Sequence, residues 1–225
     1  NLTTEKSYSI NPTTTFYAAS LYKIPVAVST VMYLTENNKT LDDTVTLLGS
    51  DYSSGTGVLG KYSPGTKITY RELFEVLLKE SDNTAQTMLL RTLPSNYLVK
   101  GFSLNNTFSW NPEFLPDNIT SSYYYASYLN RIYTGDYLPE EYRNFIFTTM
   151  EHTSFDDRMT PFFKERSVFS HKIGSWGDTQ NWHDCGILTY NSQKFVVCVM
   201  SNQAPFEIFK EVTQATSHFV NTLLF

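Results

Sequence analysis

Ser20-Leu21-Tyr22-Lys23 sets an alcohol and an amine three residues apart, the spacing at which two side chains share one face of a helical turn. A serine hydroxyl becomes a nucleophile only when a neighbouring base removes its proton. Lys23 is the base at hand, but an ordinary lysine has a pKa near ~10.4. Neutrality at pH 7 therefore needs a depression of roughly three units, about 4 kcal/mol. Two further elements follow in order. Ser81-Asp82-Asn83 would present a hydroxyl and a carboxamide from a turn. Lys172-Ile173-Gly174 adds a second amine beside a glycine that permits close backbone approach by a ligand, with the Ser175 N–H positioned to face a developing oxyanion. Each alone has an ordinary explanation: a capping serine before a solvated lysine, a helix–helix connection, an exposed lysine on an edge strand.

The surrounding sequence supplies elements able to position these groups. Ile24, Val26, Ala27, Val28, Val31, Met32 and Leu34 follow Ser20 densely enough to predict a helix buried on most sides, with Ser20 at its N-terminal end. Pro25 removes a bond only from the first turn, where the cost is small. Thr69-Tyr70-Arg71-Glu72 reads as a capping box opening a second helix, which Ser81-Asp82-Asn83 interrupts before Ala85, Met88, Leu89 and Leu90 resume the pattern. Segments 168–174, 185–190 and 194–200 read as strands, the last two joined as a hairpin through Asn191-Ser192-Gln193. Tyr123-Tyr124-Tyr125 with Tyr128 predicts a helix packing aromatic faces, starting near Ser121.

Together these residues resemble the penicillin-recognising serine enzymes, the class A β-lactamases and penicillin-binding proteins, whose signature is S-x-x-K, S-D-N and K-T-G in this order. The resemblance covers most of the chain. Ser7 to Pro12 looks like the family's second strand and turn, 63–69 like the segment before the S-D-N helix, 171–203 like its closing strands, and the segment from Pro205 like its last helix. It implies an α/β (α+β) fold in one β-lactamase/transpeptidase-like domain over 1–225. An antiparallel sheet flanked by helices (about 1–48 and 151–225) would join a mainly helical lobe (about 49–150), with the first strand missing, because Asn1 to Lys6 looks like the turn after it. That would leave an exposed strand edge or place the C-terminal helix over it.

The resemblance also implies roles. Ser20, Lys23, Ser81 and Lys172 are the expected catalytic set, with Lys172 helping burial to depress Lys23 and Ser81 relaying a proton between the lysines and the leaving group. Asn83, Ile173, Gly174 and Ser175 are the expected substrate contacts, and the N–H groups of Ser20 and Ser175 the oxyanion donors. Two positions depart from the family. Ile173 replaces a threonine or serine, losing a hydroxyl contact to the substrate carboxylate of about 1 kcal/mol. Trp110-Asn111-Pro112-Glu113 resembles the W-E-P-E loop and puts Asn111 where a glutamate activates the deacylating water. A carboxamide orients water but cannot take its proton. The expectation is an enzyme acylated on Ser20 by β-lactams or D-Ala-D-Ala-like peptides of the peptidoglycan stem and deacylated slowly. The alternatives are a working β-lactamase using Glu113, with Asp117 nearby, and a non-catalytic β-lactam or cell-wall sensing module.

With 225 residues and 41% hydrophobic content, one sizeable core is expected. A net charge of −5 and a pI near 5.4 exclude nucleic acid as the favoured partner. No stretch is long enough to span a membrane. No cofactor or metal is expected, the four histidines having no ligand spacing. A monomer is expected, and an extracytoplasmic location follows only from the resemblance. Cys185 and Cys198 fall on adjacent arms of one hairpin and could pair, although strand positions suit buried free thiols better. Arg158 and His183 are secondary candidates for a substrate carboxylate, with surface charge the plainer explanation.

Overall fold

A computed structural model describes residues 1–104 and 118–223. Its centre is helix α1 (Lys23–Glu36), buried from Lys23 to Val31 as its all-round apolar sequence requires. The two hydroxyls caught inside are satisfied locally: Ser29 and Thr30 donate to Pro25 O and Val26 O, each at 2.8 Å. Against α1 pack α2 (Tyr70–Lys79), α3 (Asn83–Thr92) and α4 (Ser95–Phe102), while α5 (Ser122–Thr134) and α6 (Glu140–Met150) extend the same core against the sheet and α2. Thr69 caps α2 by accepting from Glu72 N at 3.1 Å, whereas the Glu72 carboxylate takes the Tyr62 hydroxyl at 2.9 Å instead of closing the box. Ser121 caps α5, whose Tyr125 and Tyr128 are fully buried and donate to Leu21 O (2.9 Å) and Gly101 O (3.0 Å). Tyr125 thereby anchors the turn that carries Ser20.

Strands β5 (Val168–Trp176), β6 (Asn181–Tyr190) and β7 (Gln193–Ser201) form an antiparallel sheet in that order. Asn191 and Ser192 close the β6–β7 hairpin in two residues, both with left-handed φ (46° and 68°), as a twisted two-residue hairpin demands. One sheet face, bearing Cys185 and Ile187, packs on the α1 core. The other, with Phe169, Leu188, Phe195, Val197 and Val199, packs on Phe209 and Val220 of α7 (Phe206–Thr222). Two short ribbons complete the described elements: β1 (Thr15–Tyr17) with β4 (Ile119–Ser121), and β2 (Thr44–Thr46) with β3 (Lys67–Thr69).

Two expectations change. Ser7 to Pro12 is not a strand. Tyr8 and Ile10 are exposed there, and the extended pairing begins only at Thr15, against β4. Among the described residues no strand pairs with the outer edge of β7. Leu2 N–H reaches Lys194 O at 2.8 Å, and α7 covers the sheet's face rather than that edge. Cys185 and Cys198 are joined as a disulfide, directly opposed across β6 and β7 with Cα atoms 4.0 Å apart, so the free-thiol reading is overturned. Cross-strand neighbours lie close enough to bond without moving either backbone.

Candidate active site

Ser20 sits in a 3₁₀ turn, Ala19–Tyr22, that runs directly into α1. The residue before it, Ala19, has a φ of +49°, and Ser81 has +52°. Such left-handed non-glycine residues cost about 1–3 kcal/mol each and persist only where the surroundings hold them. Ser81 lies between α2 and α3, the interruption expected from its residue types. Asp82 then caps α3, accepting from Ala85 N at 2.8 Å.

These turns and β5 bring the three motifs together. Lys23 Nζ donates to Ser20 Oγ at 2.9 Å, to Ser81 Oγ at 3.1 Å and to Asn83 Oδ1 at 2.7 Å. Lys172 Nζ donates to the same Ser81 Oγ at 3.0 Å and to Ile173 O at 3.3 Å. Both lysines and Ser81 are buried. Burial pushes Lys23 down to about 7, opposed by the Asp82 carboxylate. Lys172 is pushed well below the usual lysine range by burial, then by the charges of Lys23 and Arg158. Burial therefore supplies the depression of Lys23, and the charge effect expected of Lys172 runs instead from Lys23 onto Lys172.

Gly174 is required by the chain itself. A Cβ there would stand 2.6 Å from Ala18 O, 2.9 Å from the His183 ring and 3.2 Å from Leu21 Cγ, so β5 crosses directly against the Ser20 turn. The close approach read as room for a ligand is taken by residues 18–21. Ser175 follows, its hydroxyl accepting from Arg158 Nη2 at 2.6 Å. Ile173 is buried and pairs with Asp184. Asn83 donates through Nδ2 to Ser54 O at 2.7 Å, leaving one amide N–H for another acceptor. Asn111, Glu113 and Asp117 lie outside the described residues.

Arg158 and His183 are not surface charges. Arg158 is buried and donates to Gly174 O at 3.1 Å and to His183 O, bracing the strand from behind. His183 is buried, donates from Nε2 to Tyr17 O at 2.7 Å, and is pushed down to about 4, chiefly by burial. Two further positioning groups escaped the sequence reading. Asp82 Oδ2 accepts from Val58 N (2.6 Å) and Leu59 N (2.9 Å), clamping the loop of Gly55 and Gly57, both at positive φ, onto the S-D-N turn. The pattern Gly55-Thr56-Gly57 ahead of an S-D-N cap was the available signal. His171, behind Lys172, contacts Asp184 at 2.6 Å and Asp156 at 3.4 Å. Burial alone would lower its pKa, but the two carboxylates raise it to about 9. A lone histidine in a strand carries no signal for such a cluster.

A model of the beta-lactamase enzyme family matches residues 1–222. Among solved structures, a PBP-A variant in acyl-enzyme complex with penicillin G superposes with a TM-score of 0.84 at 22% identity, covering 99% of this chain and 88% of that one. A β-lactamase from Chitinophaga pinensis gives 0.84 at 19% identity (99% and 90%), and one from Sphaerobacter thermophilus 0.81 at 20% (94% and 86%). At these identities the likeness shows the fold. No curated protein sequence matches.

Proposed function

Because this chain belongs to the beta-lactamase enzyme family, we propose that it is a serine acyl enzyme, acylated on Ser20 by β-lactams or D-Ala-D-Ala-like peptides and slow to deacylate. The observation that carries the reading is Ser81 Oγ held between two buried amines, 3.1 Å from Lys23 and 3.0 Å from Lys172, with Lys23 also 2.9 Å from Ser20 Oγ. Neutral Lys23 takes the Ser20 proton as Oγ attacks the substrate carbonyl. The N–H groups of Ser20 and Ser175 receive the oxyanion, which collapses as Ser81 gives its proton to the leaving nitrogen and is resupplied through the lysines. Asn83 offers its remaining N–H to the acyl amide, and the backbone of Ile173 and Gly174 runs beside it. By the sequence resemblance Asn111 corresponds to the water-activating glutamate and brings no carboxylate, which favours a long-lived acyl-enzyme over turnover through Glu113. The penicillin G acyl-enzyme of the PBP-A variant supports the substrate class. The Cys185–Cys198 disulfide supports an extracytoplasmic location.

Intact-protein mass after exposure to benzylpenicillin tests this. A lasting adduct, absent in Ser20→Ala, is expected. Rapid adduct loss with nitrocefin turnover would point to Glu113 and a working β-lactamase, and the absence of any adduct to a non-catalytic sensing module.

A further inference from the structure

The connection between α6 and β5, residues 151–167, reaches the site at three points. Near its start Thr153 Oγ1 and Ser154 N donate to Lys79 O at 3.3 and 3.1 Å, and Ser154 Oγ donates to Glu80 Oε1 at 2.7 Å, immediately before Ser81. The Phe155 ring then lies over Lys172, its centroid 6.0 Å from Nζ. Arg158 passes behind β5, where it donates to Gly174 O at 3.1 Å and to the Ser175 hydroxyl at 2.6 Å. One strap thus touches the S-D-N turn, the second amine and the residue proposed to supply an oxyanion N–H.

His171 clasps the middle of that strap to the sheet. It is the neighbour of Lys172 on β5 and so lies on the opposite face, 1% exposed, its ring stacked on Phe169 at 4.5 Å. Nδ1 meets Asp184 Oδ1 of β6 at 2.6 Å. Nε2 meets Asp156 Oδ1 and Thr160 Oγ1 of the strap, both at 3.4 Å. Asp184 Oδ2 in turn accepts from Met159 N at 3.3 Å. Among the described residues, the other charges around this cluster are Arg158 and Asp157 of the strap and Lys172 across the strand. Helix α7 and strand β7 face it with Phe209, Val220, Val197 and Val199. Only the imidazolium donates to both carboxylates at once, because the neutral ring turns a lone pair on one of them. Loss of the proton opens the clasp on one side. Asp156 is 58% exposed where Asp184 is fully buried, so the strap carboxylate is the one that lets go.

We infer that His171 is a positioning residue for acylation, its cation fastening the strap so that Phe155 and Arg158 hold Lys172 and the Ser175 N–H in place for the attack of Ser20. The inference rests on the serine acyl-enzyme reading and adds an alkaline limit to it. Acylation rises through about pH 7 as Lys23 loses its proton, holds a plateau, and falls through about pH 9 as His171 does.

The test measures second-order acylation by benzylpenicillin, by intact mass, from pH 6 to pH 10 for wild type, His171→Gln and Asp156→Asn. Circular dichroism gives the folded fraction at each pH. Wild type should lose about tenfold in rate between pH 8 and pH 10 while staying folded. His171→Gln, which cannot carry the charge, should acylate roughly 10- to 100-fold more slowly at pH 8 and show no fall above it. Asp156→Asn should move the alkaline fall about one unit towards neutral pH, because an opposite charge has left the ring. A wild-type rate flat to pH 10 would overturn the inference, as would a fall that Asp156→Asn leaves in place or a loss that only tracks the folded fraction. Each of these leaves the acyl-enzyme reading standing. Wild type that forms no adduct at pH 8 would remove that reading itself, and the clasp's role with it.

Discussion

Replacing Lys23 by methionine tests the centre of the reading, since methionine keeps most of the apolar stem and removes the amine. In the native protein this amine is 1% exposed and meets three side-chain oxygens. Burial moves its pKa from 10.5 to about 7. That shift corresponds to roughly 5 kcal/mol of differential stability between the two protonation states. The folded pKa lies below the unfolded one, so between pH 7 and 10.5 the unfolded chain binds more protons and wild-type stability rises with pH. Below about pH 7 the full penalty of burying the cation applies. Relative to wild type, Lys23→Met should therefore be more stable at pH 6 by up to a few kcal/mol, with the gap closing towards pH 10. Its acylation by benzylpenicillin should fall by about 10²–10⁴, the usual contribution of a general base. Wild-type acylation should rise with pH and level off above about 7. Urea unfolding at pH 6, 8 and 10, paired with intact-mass kinetics, reads both effects. If the two proteins' stabilities run parallel across that range, the amine is not held in the environment described. If Lys23→Met acylates at the wild-type rate, Lys23 is not the base.

Gly174→Ala should cost about 2–3 kcal/mol in urea unfolding and abolish acylation, because the methyl would press on backbone Ala18 O at 2.6 Å. A double Cys185→Ser, Cys198→Ser protein closes no covalent loop over the 13-residue separation and should lose about 3 kcal/mol, measured against oxidised wild type. His171 is raised from 6.5 to about 9 by Asp184 and Asp156 against its burial. Its contribution, about 3 kcal/mol, is thus complete below pH 6.5 and lost as pH rises through 9. His171→Gln should remove that slope in the difference between the two denaturation curves.

The groups that carry chemistry were legible because their local demands coincide with their chemical ones. Ser81-Asp82-Asn83 breaks a helix by residue type, and the same break lifts the Ser81 hydroxyl into reach of two lysines. The dense apolar run after Ser20 dictated a buried helix, and burial is what depresses Lys23. Long-range partners were not legible. Nothing near Arg158 says that it will thread behind β5 to carbonyls at 174 and 183, and nothing near Cys198 reveals that its neighbour across the hairpin is Cys185 rather than a residue one register away. Ser7 to Pro12 resembles a strand by family position, yet Ile10 points to solvent and Tyr8 meets Phe219 of α7 edge to face instead of pairing with a neighbouring strand, and the segment stays irregular.

Cys185 faces Lys172 on one side and is bonded to Cys198 on the other. A slip of one residue between β6 and β7 would turn every β7 side chain to the opposite face, taking Phe195, Val197 and Val199 off α7 and spoiling the sheet on which β5 lays Lys172. The sulfur bridge makes such a slip between β6 and β7 impossible once it has closed, so β5 always docks against a template of fixed phase. Oxidation in this protein is thus a proofreading event for alignment as much as a source of strength. Chains that refold while reduced should include a mis-phased, catalytically silent fraction that oxidised chains lack.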